Sequence, residues 1–293
     1  MIKRTIEISG GPTFLSIELD QLVLRRQGTE IGRVPCEDIG LLIAENHSTT
    51  FTQAVFTRLL EAGAAVVLCG PDHLPAGMFL PFAGNSLIAQ RMAAQAACPL
   101  PRRKRLWRQI IRHKIAAQAA NLPADHPARQ ALMDLAGRVR SGDRENAEGQ
   151  AARIYWPALL GQDFRRDPDG LPPNNLLNYG YTVLRAAVAR ALCAAGLQPA
   201  LGLHHRHRAN PFCLADDLLE VLRPMVDGAV VELYRADRLV LDRDTKAVLL
   251  GLLTRTVTVG GQAGPLMVGL HRMAASLVRV YQGAQERLDL PEL

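Results

Sequence analysis

The residues best suited to chemistry lie between Leu203 and Arg223, in the sequence LHHRHRANPFCLADDLLEVLR. Three histidines alternate with two arginines, an Asn-Pro turn signal follows, and a helical pattern then carries Asp216, Asp217 and Glu220. Asp217 and Glu220 are three residues apart, so on a helix their side chains would project from the same side. Carboxylates and imidazoles beside guanidinium groups indicate a metal site that handles a polyanion.

The histidines themselves allow two interpretations. An imidazole binds Mn²⁺ better than Mg²⁺, whereas carboxylates suit either ion, so one histidine with several carboxylates is typical of a Mg²⁺ or Mn²⁺ site for phosphate-ester chemistry. The sequence contains no HExxH motif of the kind that zinc hydrolases use. On their own, however, His204, His205 and His207 could equally be exposed loop residues.

A further candidate ligand, Glu148, lies in the segment ENAEGQAARIYW. Small residues such as Gly149 and Ala151 flank it, and a backbone or a ligand could approach closely there. Arg153 follows about one and a half helical turns later. From this segment alone a surface glutamate is the more common case, because most helical glutamates are solvated charges.

A run of positive charge, PRRKRLWRQIIRHK, extends from Pro101 to Lys114. If the chain is helical from Leu106 onward, Arg108 and Arg112 share one face and apolar residues occupy the others. Such a stripe suits sequence-neutral phosphate contacts, although a charge run can also simply solubilise a helix. Further arginines elsewhere favour a nucleic-acid surface. The candidate DNA-binding residues are Arg102, Arg103, Lys104, Arg105, Arg108, Arg112, Lys114, Arg153, Arg206 and Arg208.

The elements that must position these residues fall into two groups along the chain. Alternating or short apolar runs predict strands in roughly the first eighty residues, with one helix over 49–62. Residues 71–86, with three prolines and two glycines, are typical of a connection between domains. Helical spacing then dominates. We therefore predict an α+β fold: a small N-terminal β-rich domain, residues 1–82, followed by a larger all-helical C-terminal domain, residues 83–293.

The composition is that of an ordinary globular protein of 293 residues. The formal charge of +6 favours an anionic partner. No apolar run reaches the roughly 18 residues needed to span a bilayer, so we expect a cytoplasmic protein without a membrane segment. The cysteines lack CxxC spacing and have mostly apolar neighbours, which predicts reduced core residues rather than disulfides or a zinc site. They are Cys36, Cys69, Cys98, Cys193 and Cys213.

Three motifs together resemble the integrase family of CRISPR spacer acquisition. The first is EGQAARIY at residues 148–155, and the second is NNLLNYGY at 174–181. The third combines His205, shortly after Gly202-Leu203, with DLLE at 217–220 and Arg223-Pro224. The stretch HHRHRANPFCLADDLLE is most similar to members from type II systems, in which a single RNA-guided protein is the interference nuclease.

The resemblance implies a metal-dependent DNA endonuclease and integrase. By this resemblance the enzyme inserts short foreign DNA fragments into a CRISPR repeat array through attack of a 3′-hydroxyl on a phosphodiester. The implied metal ligands are Glu148, His205 and Glu220, with Asp217 as a further catalytic residue lining the same site and Mg²⁺ or Mn²⁺ as the cofactor.

The resemblance also implies an assembly on double-stranded DNA, both the fragment to be inserted and the repeat array. The chain would form a homodimer, would use its N-terminal domain for dimerisation and partner contacts, and would bind a dimer of a small ferredoxin-like CRISPR-associated protein. Further type II adaptation proteins could join. Two alternatives stay open from sequence: a general structure-specific metal-dependent nuclease in DNA repair, and a catalytically silent DNA-binding scaffold.

Overall fold

The computed structural model describes residues 3–71, 75–82 and 84–292. Its N-terminal part is rich in strands, as the alternating patterns predict. The elements are β1 (Arg4–Ile8), β2 (Phe14–Glu18), β3 (Gln21–Arg26), β4 (Thr29–Pro35), β5 (Ile39–Ala44), β6 (Thr50–Phe51), α1 (Gln53–Glu61), β7 (Ala65–Cys69) and β8 (Pro75–Phe79).

The C-terminal part is mainly helical. Its elements are α2 (Ile88–Ala96), α3 (Leu100–Ala120), α4 (Pro127–Arg138), α5 (Ala147–Leu160), α6 (Asn174–Ala194), α7 (Cys213–Leu219), α8 (Arg223–Arg235), α9 (Arg243–Gly251), β9 (Thr256–Val259), β10 (Gln262–Pro265) and α10 (Leu266–Tyr281). The predicted α+β class is therefore confirmed.

One addition to the predicted all-helical part is the hairpin of β9 and β10. Its two turn residues, Gly260 and Gly261, have φ angles of 58° and 73°, the left-handed backbone that a tight hairpin turn requires and that glycine adopts without strain. Strands of only four residues give too short an alternation to stand out among helical patterns, which is why the sequence analysis did not predict them.

The strands form two four-stranded sheets with the orders β1-β5-β7-β8 and β4-β3-β2-β6. In the first sheet β1, β5 and β7 run parallel, and β8 is antiparallel to β7. Alternate residues of this sheet face different cores: Leu42 and Val66 pack in a small core with α1, whereas Leu41 and Val67 belong to the large core formed with the helices. The first sheet therefore joins the two parts of the molecule.

The predicted division into residues 1–82 and 83–293 stays a prediction. Residues 72–74 and 83, within the proposed connection at about 71–86, lie outside the described residues. The same connection contains β8, which pairs with β7 along the edge of the first sheet.

The five cysteines are free thiols, four of them buried and Cys193 half-buried, as the sequence predicts for core residues. In the described part of the chain, none of the helices is both long enough and apolar enough to cross a membrane.

Candidate active site

Glu148 lies in the first turn of α5, and two side chains fix where that helix begins. The Asp143 carboxylate accepts hydrogen bonds from the backbone N–H groups of Ala147 and Glu148, at 2.8 and 3.1 Å, and the Asn146 side chain accepts one from Gly149 at 3.0 Å. A Cβ at position 149 would lie 2.6 Å from the Asn146 amide nitrogen. Gly149 thus leaves room for the Asn146 side chain that caps the helix, where the sequence analysis expected close approach of a backbone or a ligand. The positive end of the helix dipole favours the nearby carboxylate.

Asp217 is fully buried and organises the histidine loop that precedes α7. Its Oδ2 atom accepts hydrogen bonds from the backbone N–H groups of Leu203 at 2.5 Å and His204 at 3.0 Å. Its Oδ1 atom accepts from the backbone N–H of His205 at 3.2 Å and contacts the Nδ1 atom of the same residue at 2.7 Å. Both carboxylate oxygens are therefore engaged by the loop, which makes Asp217 a positioning residue.

The orientation of His205 follows from these contacts. Because the Asp217 carboxylate can only accept, Nδ1 carries the hydrogen, and in the neutral ring Nε2 keeps its lone pair for a ligand. The hydrogen bond to Asp217 raises the pKa of His205 above its usual value, against the opposing effect of burial.

The buried indole of Trp107, on α3, packs against this loop. The ring of His204 stacks flat on it, with centroids 4.2 Å apart, and the ring of His205 meets it edge-on at 5.6 Å. Burial lowers the pKa of His204, which favours the neutral imidazole in this stack. Of the adjacent histidines, His204 therefore packs against the indole, and His205 is the one whose ring Asp217 orients.

Glu220, directly after α7, is only 4% exposed and is held by two cations. The Arg223 Nε atom donates to its Oε1 at 2.8 Å, and the Lys114 Nζ atom donates to its Oε2 at 2.5 Å. Burial alone would raise the pKa of Glu220, but Arg223 and Lys114 outweigh it and hold that pKa well below its usual range. The same Lys114 ammonium lies 2.6 Å from Glu148 Oε1. Two carboxylates from distant segments thus converge on one cationic nitrogen.

A buried network of tyrosines supports Arg223 and the start of α8. The hydroxyls of Tyr155 and Tyr181 both donate to the Asp227 carboxylate, the first at 3.1 Å, and Asn121 donates to the Tyr155 oxygen at 2.8 Å. The Arg223 guanidinium lies over the Tyr181 ring, 4.5 Å from its centroid. Burial raises the pKa of Asp227 to about 6. Tyr155 and Tyr181 are the last residues of two of the sequence motifs. Through this network they support Arg223, which orients Glu220.

The chemistry of these donor atoms suits a divalent cation. Carboxylate oxygens are the ligands that Mg²⁺ and Mn²⁺ prefer, and here two of them already surround a positive charge. Across residues 3–71, 75–82 and 84–292, however, no three His, Cys, Asp or Glu side chains form a ready-made metal cluster. Of the predicted ligands, the structure brings Glu148 and Glu220 together at Lys114, but His205 does not join them in a cluster. Both carboxylates add to the rise in the pKa of His205.

The basic stripe lies on an exposed face of α3, where the sequence predicts it. Arg105, Arg108 and Arg112 are exposed and line a cleft of about 480 Å³. The rest of its lining is Arg287, Gln109 and Glu286. Spacings of three and four residues place the first three arginines on one helical face. A row of guanidinium groups along a surface cleft is suited to a phosphate backbone.

A second cleft, of about 430 Å³, lies beside the histidine loop. His205 lines it together with Arg103, Arg206 and Arg208. Arg206 and Arg208, which are close to His205 in sequence, therefore line the same cleft as its ring.

The other candidate DNA-binding residues are placed differently. Arg153 is exposed on α5. Arg102 donates to the carbonyls of Val280 and Tyr281 and so anchors the end of α10, while half-buried Lys104 packs against Gly142. Lys114 is buried between the two carboxylates and lies away from the exposed stripe.

Comparison with known proteins shows the family of the chain. Residues 7–256 match the family model described as CRISPR associated protein Cas1. The chain belongs to the Cas1 family. A CRISPR-associated endonuclease Cas1 from Neisseria meningitidis is 39% identical to it, over 100% of this chain and 97% of the relative. The resemblance drawn from the three motifs is therefore confirmed, and with it the assignment to the nuclease and integrase proteins of CRISPR adaptation.

Solved structures with low sequence identity to this Cas1 family member share its fold. A casposase bound to integration product has a TM-score of 0.80 at 19% identity, covering 99% of this chain and 93% of that one. A chain of a Cas6-RT-Cas1–Cas2 complex has a TM-score of 0.76 at 18% identity, covering 97% of this chain and 35% of that one. At these sequence identities, both comparisons show similarity of fold only.

Proposed function

We propose that this Cas1 family member is a divalent-metal-dependent DNA integrase and endonuclease that inserts short DNA fragments into a CRISPR repeat array. The observation that carries the proposal is the convergence of Glu148 and Glu220 on one cationic nitrogen beside the oriented His205. Attack of a 3′-hydroxyl on a phosphodiester forms a new P–O bond while the bond to the 3′-oxygen of the repeat strand breaks. The attacking hydroxyl loses its proton, the displaced 3′-oxygen takes one up, and negative charge accumulates on the phosphate in between. A Mg²⁺ or Mn²⁺ ion held by Glu148, His205 and Glu220 would supply charge neutralisation and activation together.

The protein's own residues prepare this site. Asp217 fixes the loop and the ring orientation of His205, so that Nε2 is available. Arg223 keeps Glu220 ionised and holds one of its oxygens in place. Arg206 and Arg208 line the adjacent cleft, where they would contact phosphates of the bound DNA.

The DNA itself would follow the arginines on α3. Arg105, Arg108 and Arg112 occupy one exposed face, and backbone contacts of this kind position a duplex without reading its sequence. Their contribution would fall with salt, because each contacted phosphate releases counter-ions.

Insertion at both ends of a fragment needs two active sites at a fixed distance, which supports a homodimer. The complex in which a chain of similar fold occurs with Cas2 supports a partner protein for this chain as well. We propose that this partner is a small ferredoxin-like dimer, and that the N-terminal part, residues 1–82, supplies dimer and partner contacts.

The test is a joining assay with a short duplex bearing free 3′-hydroxyls, a supercoiled repeat plasmid, the small partner, and Mg²⁺ or Mn²⁺. Glu220→Gln removes one carboxylate of the site, and Glu232→Gln, an exposed glutamate on α8, is the matched control. Joining that is lost with chelator and with Glu220→Gln but kept in Glu232→Gln supports integration. Cleavage without joining would favour the structure-specific nuclease, and binding without turnover would favour the scaffold.

A further inference from the structure

Lys114 has an unusual place for a residue of a basic helix. Its side chain is 11% exposed, and its ammonium bridges Glu148 Oε1 at 2.6 Å and Glu220 Oε2 at 2.5 Å. The other oxygen of Glu220, Oε1, is occupied by Arg223. The lysine thus contacts one oxygen of each carboxylate: Oε1 of Glu148, and the oxygen of Glu220 that Arg223 does not hold.

We propose that Lys114 is the built-in counter-ion of the metal-free site, and that a divalent cation must displace its ammonium to bind. The proposal rests on the proposed function, because it concerns the same two carboxylates. A second cation at these oxygens would lie within a few ångströms of the ammonium, and like charges that close repel strongly where water is scarce. The ammonium and the metal ion therefore exclude each other.

This exclusion has two opposite effects on the protein. Without metal, Lys114 stabilises the fold, because Glu148 and Glu220 would otherwise face each other as like charges in a largely buried place. With metal, the same ion pairs must be broken, so part of the metal's binding free energy is offset. The lysine's flexible four-carbon stem lets the ammonium move aside, whereas Arg223 can stay on Glu220 Oε1 and keep that side chain oriented.

The experiment compares three full-length proteins: the parent, Lys114→Met, and Lys246→Met as a matched control. Lys246 is also a buried lysine, 4% exposed, and forms an ion pair with Glu45, whose side chain is 8% exposed. Its pair joins α9 to the end of β5 and includes neither carboxylate of the site. Mn²⁺ affinity is measured by titration calorimetry, and Tm is measured in chelator and in excess Mn²⁺.

Lys114→Met should bind Mn²⁺ at least about tenfold more tightly than the parent, equivalent to about 1.4 kcal/mol of relieved competition. Its Tm in chelator should fall by roughly 5–10 °C, as expected when a buried cation is removed from its carboxylate partners, and excess Mn²⁺ should recover much of the loss. Lys246→Met should also lose Tm in chelator, but its Mn²⁺ affinity should match the parent.

A folded Lys114→Met that binds Mn²⁺ equally or less tightly than the parent would overturn the proposal, since the lysine would then share the site with the metal. Lys114→Arg keeps the charge and should bind Mn²⁺ no more tightly than the parent; a gain there would also refute it. If Lys114→Met does not fold without metal, Lys114→Gln, which can still donate to one carboxylate, is measured instead. A parent that binds no Mn²⁺ at all would refute the proposed function itself, so the two failures are distinguishable.

Discussion

Replacing Asp217 with asparagine keeps the shape of the side chain but turns one acceptor oxygen into a donor. In the parent the two oxygens accept from three backbone N–H groups and from His205 Nδ1. In the variant the new NH₂ group must face either the N–H groups of Leu203 and His204 or those of His205. The site is fully buried, so water does not replace the lost acceptor.

The magnitude follows from the two hydrogen bonds that are lost. Hydrogen bonds to a charged acceptor contribute about 1.5–3 kcal/mol each, and a buried donor facing a donor adds a further penalty. We expect Asp217→Asn to lower the free energy of unfolding by about 3 kcal/mol or more. If the NH₂ group turns toward the imidazole, Nδ1 of His205 becomes the acceptor and the ring hydrogen moves to Nε2. The nitrogen that would bind a ligand is then blocked.

Two measurements check this reasoning. Urea denaturation gives the change in stability, and NMR of histidine-labelled protein gives the pKa and tautomer of His205 among the eight histidines. The pKa of His205 should fall in Asp217→Asn, because the hydrogen bond to Asp217 is the main cause of its rise. Asp216→Asn is the control: that neighbouring carboxylate accepts from Asn210 and does not touch the histidine loop backbone. An unchanged His205 pKa together with parental stability in Asp217→Asn would refute the positioning role.

Three further predictions test other parts of the structure. Gly202→Ala should lower stability by about 1–3 kcal/mol in urea denaturation, because its Cβ would lie 2.4 Å from the His205 carbonyl oxygen; an unchanged stability would contradict the tight loop. Burial gives Asp227 a pKa of about 6 in the folded protein, above its usual value of 3.8, so the folded state binds the proton more tightly. The parent should therefore gain up to about 3 kcal/mol relative to Asp227→Asn as pH falls from about 6 to about 4, and lose it as pH rises again; a pH-independent difference in denaturation would argue against this. Arg108→Gln should reduce the salt slope of duplex binding, measured by fluorescence anisotropy, by about 0.9, whereas Arg235→Gln should leave it as in the parent; equal slopes in all three proteins would remove Arg108 from the DNA surface.

Long periodic segments made the helical part predictable. The pattern at 146–160 predicted α5 to within one residue, and that at 174–195 predicted α6 equally well. The start of α3 was placed six residues too late, because the charged residues after Pro101 carry no apolar periodicity. A proline in the first turn is nevertheless a known helix start, and it places the basic residues inside the helix.

The candidate site was only partly predictable, because its geometry depends on packing between distant helices. Nothing local in the sequence shows that Glu148 and Glu220 meet, or that Lys114 stands between them. The sequence did contain one usable signal: Lys114 is seven residues after Trp107, two helical turns, and so shares its inward face. Grouping Lys114 with the exposed arginines by charge alone overlooked this periodicity.

The basic stripe and the carboxylates lie on two different sides of α3. Its inner face carries apolar side chains that are at most 1% exposed, among them Trp107, Ile110 and Ile111, so the helix is fixed against the large core. Lys114 extends from this face to the carboxylates, while Arg105 and Arg112 extend from the opposite face, about 10 Å apart along the axis. Because α3 packs in the same large core as α5 and α7, a duplex bound along the arginines would have a fixed distance and direction to Glu148 and Glu220. Positioning of the DNA relative to the reacting phosphate would then be set by the packing of α3, and substitutions that loosen this packing should impair joining even when every charged residue is kept.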